Sequence, residues 1–226
     1  MGQTLTLTAS DGRTLAAYLV EPAGTPKGGL VVVQEIFGVN SHIRLVAERW
    51  AAEGYVVLAP ALFDRQEPQV ELGYTDADMQ RGFALMQAAG LDAPLLDIEA
   101  ARAELQRRVG ATGKVGILGF CWGGLLSWLS ACKVCAFSAA VPYYGGGIPN
   151  HAALKPLCPV LAHFGERDHW IPTDSVQAFA AAQPSVQVQV YAADHGFNCD
   201  QRGSYDASAA QLARERSLAF LGQHLA

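Results

Sequence analysis

Two hydrophobic rhythms run along the chain. Thr4 to Ala9 alternates polar and apolar residues, and with Leu15 to Val20 beyond Ser10-Asp11-Gly12 it predicts a short hairpin. Leu30 to Val33 is instead an unbroken apolar, mostly β-branched run, the mark of a strand buried on both faces of a parallel sheet. Tyr55 to Ala59, Lys114 to Leu118 and Pro159 to Phe164 repeat it, whereas Val186 to Tyr191 alternates and predicts an exposed edge strand. Helical periodicity fills the intervals. Ser41 to Glu53 carries Ile43, Val46 and Trp50 behind Ser41 as N-cap, Asp76 to Ala89 stops at Gly90, and Asp97 to Val109 stops at Gly110. A helical stretch over Leu125 to Ala131, one over 174–182 capped by Thr173, and one over 206–221 complete the set. Strands alternating with helices predict an α/β fold: a mostly parallel central sheet with helices on both faces and right-handed crossovers. Residues 1–226 show no repeat or linker and read as a single domain.

Composition narrows the partners. Half of the 226 residues are hydrophobic, 16% are charged and the net charge is −5, which excludes disordered and coiled-coil classes. Lys and Arg are scattered, so neither nucleic acid nor an anionic membrane is expected as partner. There is no apolar run of roughly 18 residues and no basic-then-apolar leader, so no membrane span or secretion signal is expected. Met1-Gly2 with Thr6 matches an acylation pattern, read here as the start of a strand. Five cysteines (121, 132, 135, 158 and 199) form an odd set that fits reduced thiols in the cytoplasm. Cys132 and Cys135 have no second pair or histidine at ligand spacing and read as small buried residues. A monomer or weak homodimer is expected.

Chemistry concentrates in Lys114-Val-Gly-Ile-Leu-Gly119-Phe120-Cys121-Trp122-Gly123-Gly124. A buried strand runs into G-x-C-x-G and then into a helix, a nucleophile elbow with sulfur in place of the serine oxygen. Gly119 and Gly123 remove side chains that would strike neighbouring backbone, and a helix N-terminus there favours both thiolate and oxyanion. A thiol nucleophile needs a base, and the base needs an orienting acid. Pro159 to Phe164 leads into Gly165-Glu166-Arg167-Asp168, and Val186 to Tyr191 leads into Asp194-His195-Gly196. The order nucleophile, acid, histidine is that of α/β hydrolases, with Cys121, Asp168 and His195 coming from the ends of three successive late strands. Glu166 and Asp194 are weaker acids by context. His169 shares a loop with the acid, and His163 lies within a strand as a core histidine.

Gln34-Glu35-Ile36-Phe37-Gly38-Val39-Asn40 follows the first buried strand. In this fold that loop supplies the second oxyanion donor, which nominates the backbone N–H groups of Ile36 and Trp122. Glu35 and Phe37 are placed in the pocket, Glu35 as a carboxylate that tunes the thiol, because a desolvated acid is costly unless used.

These stretches resemble the dienelactone hydrolases (carboxymethylenebutenolidases) through QEIFGVN (34–40), GYVVLAP (54–60), LDIEAARAEL (96–105), KVGILGFCWGG (114–124), VPYYGGG (141–147), GERDHWIP (165–172) and DHGF (194–197). The resemblance implies an α/β-hydrolase fold, ester or lactone hydrolysis without metal or organic cofactor, a Cys121–Asp168–His195 triad, and Glu35 holding the resting thiol until substrate displaces it. It also implies two arginines that grip a substrate carboxylate. At those positions this chain has Met79, with Arg81 two residues on and facing elsewhere, and Cys199, with Arg202 three residues on. Both arginines therefore read as missing. Trp122 is bulkier than its counterpart, so a different, less anionic small-molecule ester or lactone is expected. The competing readings are cysteine-dependent amidotransferase chemistry, which would want an acid where Phe197 stands, and a non-catalytic binding protein on a hydrolase scaffold.

Overall fold

The computed structural model describes residues 2–134 and 136–225; Cys135 lies outside them. Eight strands form one sheet in the order β1-β2-β4-β3-β5-β6-β7-β8. β1 (Gln3–Thr8) and β2 (Thr14–Val20) form the expected antiparallel hairpin, and β2 pairs antiparallel with β4 (Tyr55–Pro60). From β4 through β3 (Gly28–Val33), β5 (Val115–Phe120), β6 (Ala139–Tyr143), β7 (Leu161–Gly165) and β8 (Gln187–Tyr191) every pairing is parallel. β3, β4 and β5 are buried at every residue, so helices cover both faces there, while β8 is a half-exposed edge.

β6 is absent from the periodicity reading. Its sequence, Ala-Ala-Val-Pro-Tyr, is short and carries a proline, a residue that normally argues against a central strand. Ala140 donates to Pro159 O of the β7 side, and two residues on, Pro142 has no N–H to follow it. The ladder to β7 shrinks accordingly to Tyr143 against His163 plus an isolated bridge from Ala140 to Val160. The strands that end in Cys121, Asp168 and His195 are thus β5, β7 and β8, with β6 between the first two.

The six helices of the described residues are α1 (Ser41–Ala52), α2 (Asp76–Ala89), α3 (Asp92–Val109), α4 (Trp122–Lys133), α5 (Thr173–Ala182) and α6 (Ala207–Leu225). Three boundaries differ from expectation: Thr173, expected to cap α5, is its first residue behind Pro172, and its hydroxyl donates to Glu166 O at 3.1 Å instead. The N-cap of α1 is Asn40, whose Oδ1 accepts from Ile43 N at 3.3 Å, so Ser41 is the first helical residue. α3 begins at Asp92 rather than 97, because Pro94 falls within the first turn, where a missing N–H costs nothing. Among the described residues no helix is long and apolar enough to cross a membrane.

Candidate active site

β5 ends at Phe120, α4 begins at Trp122, and Cys121 turns the corner between them with φ 55° and ψ −118°. Such a positive φ is strained for a residue with a Cβ and persists only where the surroundings impose it. Here they do: Cys121 N donates to Tyr143 O at 3.1 Å, and its carbonyl accepts from Gly124 N and Leu125 N. A Cβ on Gly119 would lie 2.2 Å from Gly123 O, and one on Gly123 would lie 2.4 Å from Gln34 O. The two glycines let strand, helix and the 34–40 loop meet at that spacing.

β7 and β8, beyond β6, lead into the turns that carry Asp168 and His195. Asp168, on the turn after β7, is buried; its Oδ1 accepts from Trp170 N at 2.8 Å and Ile171 N at 3.2 Å. Its other oxygen, Oδ2, accepts from His195 Nδ1 at 2.7 Å. The loop carrying His195 is tied to the turn carrying Asp168 through Glu166 N to Tyr191 O and Arg167 N to Ala193 O. Burial of the His195 ring pulls its pKa down, but the Cys121 sulfur on one side and the Asp168 carboxylate on the other outweigh it, and the net shift is upward. His195 is therefore held toward the imidazolium form, with Tyr144 edge-on against it at 5.1 Å. Structure thus brings Cys121, His195 and Asp168 together. Asp194 is occupied elsewhere, accepting the backbone N–H of His195 at 2.7 Å, and Glu166 is exposed. His163 is the core histidine expected, bonded to Tyr191 Oη at 2.8 Å and Ser217 Oγ at 2.9 Å.

Cys121, His195, Ile36, Phe37 and Trp122 line one cavity of 520 Å³. Gln34 fixes the loop beneath it, its Oε1 accepting from Leu62 N at 3.0 Å and its Nε2 donating to Glu35 O at 3.2 Å. The remaining walls are mainly apolar: Met79, Phe83 and Met86 from α2, Leu125 from α4, and Trp170, which is 65% exposed and rests against Phe83 at 5.8 Å. Trp122 is not free in the cavity, being stacked on Phe63 at 5.3 Å. Periodicity alone did not reveal this wall, because α2 turns few of its residues into the core and its apolar side faces the cavity instead.

One expectation is corrected. The cavity does not lack an arginine from the loop after His195: Arg202 lines it, with its guanidinium 5.6 Å from the Phe37 ring centroid and 5.9 Å from that of Tyr74. The loop between β8 and α6 folds back, so an ungapped count of residues after His195 misplaces it. Arg81 does face away, pairing with Glu67 at the surface, and Met79 occupies the wall. Arg202 Nη1 lies 3.3 Å from Glu35 Oε1, and Tyr74 Oη donates to Glu35 Oε2 at 3.5 Å. Glu35 is fully buried, and among the described residues no hydrogen bond joins it to Cys121. Arg202 stands in electrostatic reach of both Glu35 and Cys121.

A strained elbow on a mostly parallel sheet, with the acid and histidine on later strand ends, defines an α/β hydrolase. Comparison narrows the class: the model of the dienelactone hydrolase family matches residues 15–225, and the chain belongs to that family. It is 36% identical to a carboxymethylenebutenolidase of Pseudomonas putida, over 96% of this chain and 94% of that one. It is 38% identical to a Synechocystis protein described as "Putative carboxymethylenebutenolidase", over 94% and 93% of the two chains. Among solved structures, a Klebsiella pneumoniae protein titled "Putative Dienelactone Hydrolase" superposes with a TM-score of 0.86 at 31% identity, covering 99% of both chains.

Proposed function

We propose that this chain is a cysteine-dependent hydrolase of carboxylic ester and lactone bonds in small molecules, working through a thioester acyl-enzyme. The reading is carried by one observation: Cys121, strained onto the elbow, lines the same cavity as His195, whose Nδ1 lies 2.7 Å from Asp168 Oδ2. The Cys121 sulfur attacks the substrate carbonyl, and the tetrahedral oxyanion takes the backbone N–H groups of Ile36 and Trp122. The Trp122 amide opens α4 and is among those a helix leaves unpaired. His195 gives its proton to the departing alkoxide, leaving the acyl group on sulfur. It then takes a proton from water, hydroxide attacks the thioester, and thiol and carboxylic acid are released. Removing one oxyanion donor commonly costs ~10²–10³ in rate.

Glu35 tunes the thiol through Arg202, which balances the charges of both. Phe37 belongs to the wall that receives the substrate. Because the cation lining the cavity is already paired with Glu35, uncharged apolar esters are the favoured class. Hydrolysis of p-nitrophenyl esters by Cys121→Ala and by wild type tests the reading. The variant, folded by circular dichroism, is expected to lose activity by about 10³-fold or more; full retention contradicts it.

A further inference from the structure

A second constellation lies outside the catalytic pair. Glu35 at the end of β3, His42 in the first turn of α1 and Cys199 in the loop before α6 bring a carboxylate oxygen, a ring nitrogen and a sulfur within 4.8 Å of one another. All three side chains are buried. The His42 ring, edge-on to Phe120 at 6.2 Å, has no hydrogen-bond partner for either nitrogen among the described residues. Asp200 Oδ1 approaches Nδ1 only to 3.5 Å, outside hydrogen-bonding geometry. The buried Tyr144 hydroxyl, in electrostatic reach of Glu35 and Cys199, is also without a hydrogen-bond partner among the described residues. Native proteins rarely leave an imidazole orphaned at both nitrogens, and the capacity to ligate an ion is one of the few ordinary reasons.

We propose that Glu35, His42 and Cys199 bind one borderline-soft divalent cation of the zinc type. Zinc takes this mixture of carboxylate oxygen, imidazole nitrogen and thiolate sulfur, whereas calcium and magnesium call for more oxygens than the cluster offers. Bond lengths of about 2.0–2.3 Å put tetrahedral donors roughly 3.3–3.8 Å apart, so the three atoms close by about 1 Å on binding. A carboxylate and a thiolate neutralise the ion, the imidazole stays neutral, and the Cys199 thiol releases its proton to solvent as the sulfur–metal bond forms. Water or the Tyr74 hydroxyl, already 3.5 Å from Glu35 Oε2, takes the fourth position. Binding draws Glu35 from Arg202 and leaves a guanidinium unpaired in the cavity wall, so the ion modulates hydrolysis. That consequence rests on the function proposed above; the binding does not.

Cobalt(II) titration of the full-length Cys121→Ser protein separates the two. Expected is saturation at one equivalent, with the thiolate-to-cobalt charge-transfer band and the visible bands of a tetrahedral ion, displaced by zinc. The band disappears in Cys199→Ser on the same background, and His42→Gln weakens affinity by about tenfold or more. Loss of hydrolysis in Cys121→Ser with the band intact keeps the two claims distinct. A folded Cys121→Ser protein that binds no cobalt overturns the proposal. So does a band that persists in Cys199→Ser but vanishes in Cys121→Ser, which places the ion on the catalytic thiol. A zinc-soaked crystal showing only water between His42 and Glu35 overturns it as well.

Discussion

At Cys121 a β-carbon is carried at φ 55°, with the backbone held by Cys121 N to Tyr143 O of β6 and by the close approach of Gly123 to the 34–40 loop. The strain places sulfur at a helix start and against His195, so positioning, charge and backbone geometry converge on one atom. Asp168 then matters through His195 rather than through substrate. Asp168→Asn keeps the caps on Trp170 and Ile171 but loses the charge that raises the His195 pKa. It is expected to lower kcat by ~10²–10⁴ with KM little changed; steady-state kinetics with an unchanged melting curve checks this, and a drop confined to KM contradicts it. G-x-C-x-G and the chain order of acid and histidine made these residues legible, since a tight turn and a strand end leave sequence signals. Arg202 was not legible: its place depends on how a loop without regular structure folds back, which no spacing rule encodes.

At the scale of elements, β5, α4 and the 34–40 loop meet with no room for side chains. Gly123→Ala, whose Cβ would lie 2.4 Å from Gln34 O, is expected to destabilise the chain by about 2–4 kcal/mol. Urea unfolding with an unchanged m-value reads this as a lower midpoint, and a midpoint equal to wild type would mean the elbow relaxes without cost. Runs of Val, Ile and Leu announced β3, β4 and β5 because both faces of those strands are buried. β6 escaped because Pro142 and two alanines carry the opposite local signal, overridden by tertiary packing between β5 and β7. The start of α3 escaped for a related reason: a proline that usually ends a helix is tolerated in a first turn.

The whole molecule sets what enters and under what conditions it survives. α2, the elbow helix and the turn after β7 enclose 520 Å³ of mainly apolar space. Across straight-chain acyl esters, kcat/KM is expected to rise about threefold to fourfold per methylene until the cavity fills, with carboxylate-bearing analogues slower. A flat profile, or selective turnover of a carboxylate-bearing lactone, contradicts this. Acid stability follows from two buried histidines. Burial lowers His163 to about 3 and lowers His42 as well, so the native chain refuses protons that the unfolded chain accepts. The His163 contribution is intact above the unfolded value of about 6.5 and is lost as pH falls from there toward 3, by about 3–5 °C in Tm per pH unit, and His42 adds to the loss in the same direction. His163→Gln is expected to start lower and fall less steeply between pH 6.5 and pH 4; parallel melting curves would sink this.

Hydrolysis through sulfur is the claim on which site and cavity converge, and it is tested most directly by mass. Rapid acid quench of wild type with an activated aryl ester, followed by intact-protein and peptide mass spectrometry, is expected to show a single acyl adduct on the peptide carrying Cys121. The adduct should be labile to hydroxylamine and absent from Cys121→Ala. Turnover by the wild-type chain with no acyl adduct at any time, or an adduct on another residue that forms and decays at the turnover rate, would contradict the account.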